Sequence, residues 1–456
     1  MTMYSSNRTL LALVVAAVGM LAWCGCGNQA PAHPNLVIIL VDTLRADHLH
    51  YHGHHRETSP RIDDLAARST AFMNHQSTSS RTGPSTASIF TGLFPRSHGV
   101  LNPLTKFDAK GMLTDDQTTL AEILTDGGYD CFGYTANLNV SARFGFSQGY
   151  VDYQHIKSSK AAEVRDHALR VLSEPRAKPL FLYLHYMEPH SHYSAPEEYR
   201  SLFVDPKYDG PMNGRHHQLN QIVEGTLKLS EADAEHLSCL YDQEIRYTDD
   251  EVGLILDALV ENGLAENTIV VFIADHGEEF LDHGSALHGY TLYQEQLHVP
   301  LIVYDPRRSD SRRIEAITRH VDVLPTLLEL LGIDGDDGVQ GESLVSLMDG
   351  RDDQRGEVPA LAEASLMAVK TVRQRSLLLG DWKLIEHLIP AALPELYNLR
   401  HDPGEQHDLM ADEPHEAQRL RVRLADLLES LPEAKGAVTK LSKEEVRKLR
   451  SLGYVK

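Results

Sequence analysis

The chain has 456 residues, 42% of them apolar, which is enough to bury a large core and excludes disordered and fibrous classes; one large domain with a smaller appendage is expected. Lys plus Arg number 43 against 65 Asp plus Glu, a net charge of -22, and this acidity excludes a nucleic-acid partner because phosphate backbones are met by basic stripes. An anionic substrate then has to be held by a local cationic site, for which a bound metal is the natural candidate.

At the N-terminus, Arg8 precedes the apolar run TLLALVVAAVGMLAW (9–23), of signal-sequence length and short of the about 20 residues that a spanning helix needs. LAWCGCG follows and resembles a bacterial lipoprotein signal, whose cysteine becomes the lipidated terminus. Cys24 has Leu21 in the expected place but Trp23 directly before it, whereas Cys26 has Gly25 before it but Trp23 upstream. An ordinary cleaved signal or an uncleaved anchor are the alternatives. All three predict an exported body in the periplasm or at the cell surface, with a lipid-anchored form leading. Cys131 and Cys239 are then the remaining cysteines, too few for a disulfide framework.

In chain order, NLVIILVD (35–42), YDCFGYTAN (129–137), PLFLYLHY (179–186), TIVVFIADHG (268–277) and HVPLIVYD (298–305) are short apolar runs rich in β-branched residues, suited to strands covered on both faces. Between them SPRIDDLAARSTAF (59–72), TTLAEILTDGG (118–128) and DEVGLILDALVENG (250–263) read as helices. The alternation implies a mostly parallel α/β sheet flanked by helices. DGRDDQRGE (349–357) reads as a linker. Beyond it, residues 366–388 read as a hairpin turning at Gly380-Asp381, residues 416–431 as an amphipathic helix, and residues 441–456 as a packing helix that starts in the capping-box spacing of Ser442 and Glu445 and stops at Gly453. The expected division is a signal segment 1–26, a linker 27–34, a catalytic domain 35–350, a smaller C-terminal α+β subdomain 358–431 and a helical tail 432–456.

In open parallel sheets, ligands sit beyond the carboxyl ends of the strands. Asp42 ends the first strand and Asp275-His276 end a later one, so these three metal-competent side chains converge at one rim. Thr82, in SSRTGPSTASIFTG (79–92), enters the same rim from the loop before a helix opened by Pro84 and Ser85, whose free N–H groups attract an anionic oxygen. Two carboxylates, an imidazole and a hydroxyl can hold a divalent cation against a tetrahedral anion.

The stretches VIILVDTLRADHL, YHGHHRETSPRIDDLA, SIFTGLFPRSHGV, YDQEIRYTDDEVG, ADHGEEFLDHG, TLYQEQLHVPLIV, DVLPTLLELLGI, QGESLVSLMDG and ELYNLRHDPGEQHDL occur in this order. Together they resemble the sulfatases of the alkaline phosphatase superfamily over nearly the whole mature chain. The resemblance implies an alkaline-phosphatase-like sandwich. The motif departs from the family, however. Where a sulfatase has Cys or Ser, any residue, Pro, any residue and Arg, this chain has Thr82-Gly83-Pro84-Ser85-Thr86. Threonine is not matured to formylglycine, so none is expected. The paired aspartates after the first strand are reduced to Asp42-Thr43, and two family lysines align with Asn137 and His288.

Phosphate-handling members of the superfamily use an unmodified threonine. The resemblance therefore implies that Thr82 is a nucleophile, that Asp42, Thr82, Asp275 and His276 bind a metal, and that His190 serves the leaving group. His288 and Asn137 would contact the substrate's free oxygens, His288 also as a catalytic group, with His185 in the same pocket. The ion is Zn, Mn, Ca or Mg, with a second site left open. His283 is placed behind the ligands, and the cluster His48, His50, His52, His54, His55 is read as solvated surface with adventitious metal affinity. The leading function is a metal-dependent hydrolase of sulfate- or phosphate-type esters, leaning to phosphoesters of a small molecule, glycan or lipid. A phosphoglycerol or phosphoethanolamine transferase and a catalytically silent glycan-binding homologue stand beside it as alternatives.

Overall fold

The structure, a computed structural model, describes residues 33–101, 108–158, 160–335, 338–351, 356–367, 371–434 and 436–451. The signal segment, both of its cysteines, part of the predicted linker and Gly453 lie outside the described residues. Eight strands build the main sheet: β1 (Asn35–Val41), β2 (Thr70–Gln76), β3 (Asp130–Thr135), β4 (Asp152–His155), β5 (Leu180–Tyr186), β6 (Thr268–Ala274), β7 (His298–Tyr304) and β8 (Arg312–Arg319). Their order is β8-β2-β7-β6-β1-β5-β3-β4. Every pairing is parallel except the two made by β7.

The side chains of β1 explain the layering. They alternate between faces, so Val37, Ile39 and Val41 join one core while Leu36, Ile38 and Leu40 join another. Helices cover both faces, which is why β1, β5 and β6 are buried along their whole length. On the first face lie α1 (Pro60–Ala67), α4 (Ala161–Ser173) and the long α5 (Glu231–Glu261); on the second lie α2 (Thr82–Thr91), α3 (Leu120–Asp126) and α6 (Val323–Leu331). Capping boxes open α3 at Thr119 with Glu122 and α5 at Ser230 with Asp233.

Three strands depart from the sequence reading. The expected helix 59–72 ends at Ala67, where the Ser69 hydroxyl donates to the Leu65 carbonyl (2.6 Å), and Thr70 already opens β2. Polar Asn74, His75 and Gln76 disguise β2, and charged residues disguise the edge strand β8. β4 is only four residues long. The run 250–263 is the last part of α5, a 31-residue helix.

A second sheet follows, with four consecutive antiparallel strands: β9 (Ala360–Met367), β10 (Thr371–Leu379), β11 (Trp382–Ile389) and β12 (Glu395–Asn398). The β10–β11 turn falls at Gly380-Asp381 as read from the sequence, with Gly380 at φ 60°. α7 (Pro414–Ser430) packs Ala417, Leu420 and Leu424 against Leu377, Leu384 and Leu396 of this sheet. The tail returns to the main domain. Val438–Lys440 pairs with Asp108–Lys110, and Val446 and Leu449 of the last helix (α8, Lys443–Ser451) enter the second core. Ser442 and Glu445 exchange the two capping-box bonds at its start. Cys131 and Cys239 are buried free thiols. Among the described residues, no helix is long and apolar enough to cross a membrane.

One face of α5 is unusually acidic for a buried surface. Its Glu244 accepts the Ser194 N–H, and nearby Glu188 accepts the Ala161 N–H (3.2 Å). Burial pushes Glu188 up to about 7 and, aided by the Glu188 charge, Glu244 up to about 8. The unfolded chain releases these protons near the ordinary carboxylate value, well before the folded chain does. The contribution of this pair to stability therefore falls as pH rises from about 5 toward 8. Glu244→Gln removes one of the two protons from this balance, so its melting temperature relative to that of the wild type should rise over that range; scanning calorimetry of both at several pH values checks this, and a constant difference would refute it.

Candidate functional site

β1 and β6 are parallel neighbours in register, with Val41 opposite Ala274. The next residue of each, Asp42 and Asp275, therefore leaves the sheet side by side, and both are fully buried. Thr43 follows with φ 57°, a left-handed conformation that a β-branched residue rarely takes. The turn aims the Thr43 N–H at Asp275 Oδ1 (3.1 Å), and the Thr43 carbonyl accepts the Tyr241 hydroxyl of α5 (2.6 Å). Asp275 Oδ1 also accepts the His276 N–H (2.8 Å). Asp42 Oδ2 accepts from Asn137 Nδ2 (2.5 Å) and meets His185 Nε2 (3.0 Å).

The other oxygen of each carboxylate is different. Asp42 Oδ1 and Asp275 Oδ2 are buried with no hydrogen-bond partner, 3.9 and 3.5 Å from His276 Nε2. All three atoms lie within 4.8 Å of one another. His276 Nδ1 donates to the Gly277 carbonyl (2.9 Å), which leaves the Nε2 lone pair facing the two oxygens. A buried carboxylate oxygen left without a donor costs about 1–3 kcal/mol or more, and a divalent cation between the two oxygens and the imidazole would remove that cost. The donor set thus fits a metal. Burial and the Asp42 charge push the Asp275 carboxyl up to about 6; burial acts on Asp42 in the same sense, but the His185 hydrogen bond and the charges of His190, His185 and His276 hold it below its ordinary value.

Thr82 completes the rim. It is the first residue of α2 itself, not of the preceding loop, and Pro84 falls within the first turn. Its Oγ1 is 3.3 Å from His276 Nε2 and 3.4 Å from Asn137 Nδ2. The segment before it is strapped on both sides. Ser77 Oγ donates to the Asp275 carbonyl (2.6 Å), while Ser79 Oγ donates to the Glu363 carbonyl of β9 (2.7 Å) and the Glu363 N–H to the Thr78 carbonyl (3.0 Å). Two further buried imidazoles stand at the rim, His190 and His288, with ring centroids 4.9 Å apart, and His288 is 4.4 Å from the His276 ring. His190 Nδ1 donates to the Ser191 carbonyl (2.7 Å). His288 Nδ1 meets Glu278 Oε1 (2.9 Å), and Glu278 Oε2 accepts the Tyr193 hydroxyl (3.2 Å). Burial lowers the pKa of both rings, that of His288 further through the neighbouring charges of His276, His190 and Arg81.

Several residues stand elsewhere than the sequence suggested. His185 lies behind Asp42 with both ring nitrogens engaged, Nε2 by Asp42 and Nδ1 by the Tyr183 hydroxyl (2.7 Å). It orients the carboxylate and does not reach substrate. Asn137 spends its Nδ2 on Asp42 and Thr82 and its Oδ1 on the Asn139 N–H (2.9 Å), so it too positions the ligands. His283 bridges Glu295 and the Glu405 carbonyl and touches none of the rim residues through those bonds. In the histidine cluster, His50 and His55 are exposed, but His48 is buried. His48 and His54 both bond the fully buried Asp242, which Arg56 also ion-pairs. That carboxylate is already compensated, unlike Asp42 and Asp275.

Arg81, which precedes Thr82, escaped the sequence reading. It is 2% exposed, its stem borders Gly289, and its charge acts on His288. It supplies a buried cation whose charge reaches His288. Adjacency to Thr82 was the one signal available, and nothing in the composition marks a buried guanidinium.

A family profile described as Sulfatase matches residues 34–333, and one described as N-sulphoglucosamine sulphohydrolase, C-terminal, matches residues 287–433. The chain is 22% identical to the Delta 4,5-hexuronate-2-O-sulfatase of Bacteroides thetaiotaomicron, over 86% of this chain and 88% of that protein. It is 25% identical to the arylsulfatase of Clostridium perfringens, over 70% of this chain and 79% of that one. The crystal structure of the phosphonate monoester hydrolase of Agrobacterium radiobacter superposes with a TM-score of 0.72 at 21% identity, covering 87% of this chain and 95% of that one. Metal content tests the geometry directly. Asp42→Asn and Asp275→Asn should each weaken divalent-metal binding about 10–100-fold, whereas Thr82→Ala should keep most of it; emission spectrometry after dialysis reads the difference, and full metal retention in both aspartate variants would refute the assignment.

Proposed function

The chain belongs to the sulfatase family, whose enzymes are metal-dependent hydrolases, and on that premise we propose that it cleaves phosphate-type esters with Thr82 as an unmodified nucleophile. One observation carries the reading: the Thr82 hydroxyl stands at a helix N-terminus, 3.3 Å from His276 Nε2 and beside two partnerless carboxylate oxygens. A divalent cation held by Asp42, Asp275, His276 and Thr82 supplies Lewis-acid polarisation of the ester and lowers the hydroxyl pKa. The mixed oxygen and nitrogen donor set favours zinc or manganese over calcium. No formylglycine is involved, since neither the threonine nor the missing arginine at Thr86 suits that maturation.

The protein's own residues divide the remaining work. The α2 N-terminus and Arg81 hold the tetrahedral anion, replacing the lysines that Asn137 and His288 displace. Because His190 donates from Nδ1, the neutral ring presents a lone pair at Nε2. It accepts the Thr82 proton as the Thr82 Oγ–phosphorus bond forms, then delivers that proton to the departing ester oxygen as its bond to phosphorus breaks. Water reverses the sequence: its oxygen bonds phosphorus, its proton passes to His190, and the Thr82 oxygen leaves with it. His288, held at Nδ1 by Glu278, which also accepts the Tyr193 hydroxyl, contacts the substrate's non-bridging oxygens. Sulfate esters place the same tetrahedral anion here and are expected as slower substrates. The organic part is carried on a small molecule, glycan or lipid, and the signal-like segment 9–26 supports a reaction outside the cytoplasm, on a lipid-anchored body.

Nitrophenyl phosphate, its diester, phenylphosphonate ester and nitrophenyl sulfate, assayed with zinc, manganese, magnesium or calcium, test this. Thr82→Ala should lose at least about 10³-fold in kcat for the phosphorus esters with its melting temperature unchanged, an effect of the size expected when a nucleophile is removed. Turnover surviving in that variant would overturn the nucleophile. Arg81→Gln should raise KM about ten-fold with a smaller effect on kcat, as expected for a group that binds ground and transition states alike.

A further inference from the structure

An apolar loop stands at the ester-site end of the smaller sheet. β9 passes the Thr78 carbonyl at Glu363 and reaches Gly289 at Leu366, where Gly289 also borders Arg81. An antiparallel meander brings alternate turns to one end. With Leu366 opposite Val372 and Arg373 opposite Ile389, the connection from β11 to β12 leaves on that same end, two strand spacings or about 10 Å from β9. It reads Ile389-Pro390-Ala391-Ala392-Leu393-Pro394, with no charged or hydrogen-bonding side chain.

The first five of these residues are exposed, Leu393 at 86% and Ile389 at 45%. The other large exposed apolar side chains, Val151, Leu254, Val260 and Val422, belong to other elements, and single ones of that kind are ordinary. β12 begins with Glu395 opposite Ile385, so residues 386–394 project past its end, and a bridge between Leu388 and Ala391 closes the tip. Pro390 and Pro394 fix φ, which limits the entropy lost when the tip is ordered. The carboxylates at its base are held back. Glu386 pairs with Arg375 (2.6 Å), and Glu395 is bonded by His387 Nε2 (3.0 Å) and by the hydroxyls of Tyr293 (2.8 Å) and Tyr397 (3.0 Å).

We propose that this loop inserts into the apolar layer of a phospholipid bilayer and docks the ester-site end of the protein on the membrane surface. A projecting tip of six residues is too small for a protein partner, since such interfaces engage about 20–30 residues a side. A short apolar protrusion free of charge suits insertion at a membrane interface. Chain length agrees. Seven to nine residues separate Cys26 or Cys24 from His33, so a lipid on either cysteine, as proposed above, would hold His33 within about 30 Å of the bilayer. Stable attachment takes two weak signals, and the loop supplies the second. The net charge of -22 opposes anionic lipid, so the attachment is an apolar one to a zwitterionic surface.

Flotation with phosphatidylcholine vesicles tests the proposal, using residues 27–456, which contain every described element but not the lipid-bearing segment. The proteins compared are the wild-type sequence, the double variant Ile389→Asp with Leu393→Asp, and Val422→Asp, which changes an exposed apolar residue of α7. Wild type and Val422→Asp should bind the vesicles alike, at about 0.1 and about 0.5 M salt, because apolar insertion is not screened. The double variant should bind at least about ten-fold more weakly, as expected when two inserting side chains become charged. No flotation of the wild type, or equal flotation of the double variant, overturns the proposal. A wild-type dimer in sedimentation velocity that the double variant loses, with no vesicle binding, assigns the loop to a second copy and overturns it too. Leu393→Asp alone, at the most exposed position, gives the same reading at smaller size if the double variant does not fold. All variants should turn over nitrophenyl phosphate like the wild type, so a failure of the ester-hydrolase reading shows separately, as absent turnover with intact flotation.

Discussion

Two carboxylates buried side by side at the carboxyl ends of neighbouring parallel strands are the constraint around which this protein is organised. Parallel register delivers Asp42 and Asp275 to the same depth, one residue past Val41 and Ala274, and burial in the sheet rim removes the water that would otherwise screen them. Each is given donors on one oxygen only. Asn137 and His185 serve Asp42; the Thr43 and His276 backbone serves Asp275. The oxygens left over turn to the same point as His276 Nε2. The strained turn at Thr43 belongs to this arrangement, since the left-handed backbone is what directs its N–H into Asp275 and its carbonyl to Tyr241.

Thr82 owes its position to both sheets. The main sheet holds the preceding segment through Ser77 and the Asp275 carbonyl, and the smaller sheet holds it through Glu363. A second seam joins the subdomain to the segment between β6 and β7, where the Glu405 carbonyl accepts from His283 (3.1 Å) and its carboxylate from the Gln294 N–H (2.6 Å), with Lys383 of β11 ion-paired to Glu405 inside the subdomain. The C-terminal subdomain is therefore a wall of the site and not a separate appendage. The tail, which returns to pair Val438–Lys440 with Asp108–Lys110, adds a third point at which distant sequence closes on the main core.

The rest of the rim shows how charge is redistributed when family residues are replaced. The cations that the sequence lacks at Asn137 and His288 are not restored at those positions. Asn137 instead turns inward to the ligands, and the buried Arg81 next to Thr82 brings a charge that acts on His288. Burial lowers the pKa of the two imidazoles over the site, which suits the proton acceptance proposed for His190. His48 and His54 show the contrast. They gather round a buried aspartate as densely as the rim residues do, yet Arg56 already neutralises it.

The sequence by itself determined the parallel α/β class, the hairpin at Gly380-Asp381, the amphipathic helix beyond it, and the convergence of Asp42, Asp275, His276 and Thr82. Each was legible because it depends on local pattern: apolar runs for doubly covered strands, a glycine turn, and polar residues standing just past strand ends. Only the tertiary structure decided that β2 and β8 are strands, since their polar and charged residues are tolerated by neighbours that no local window contains. It also decided what each side chain does once the strands align. Whether a histidine stands beside His288 at the rim, as His190 does, or behind a carboxylate, as His185 does, depends on contacts made after the strands have aligned. The burial of Arg81 depends in the same way on contacts between segments far apart in the chain, such as that with Gly289.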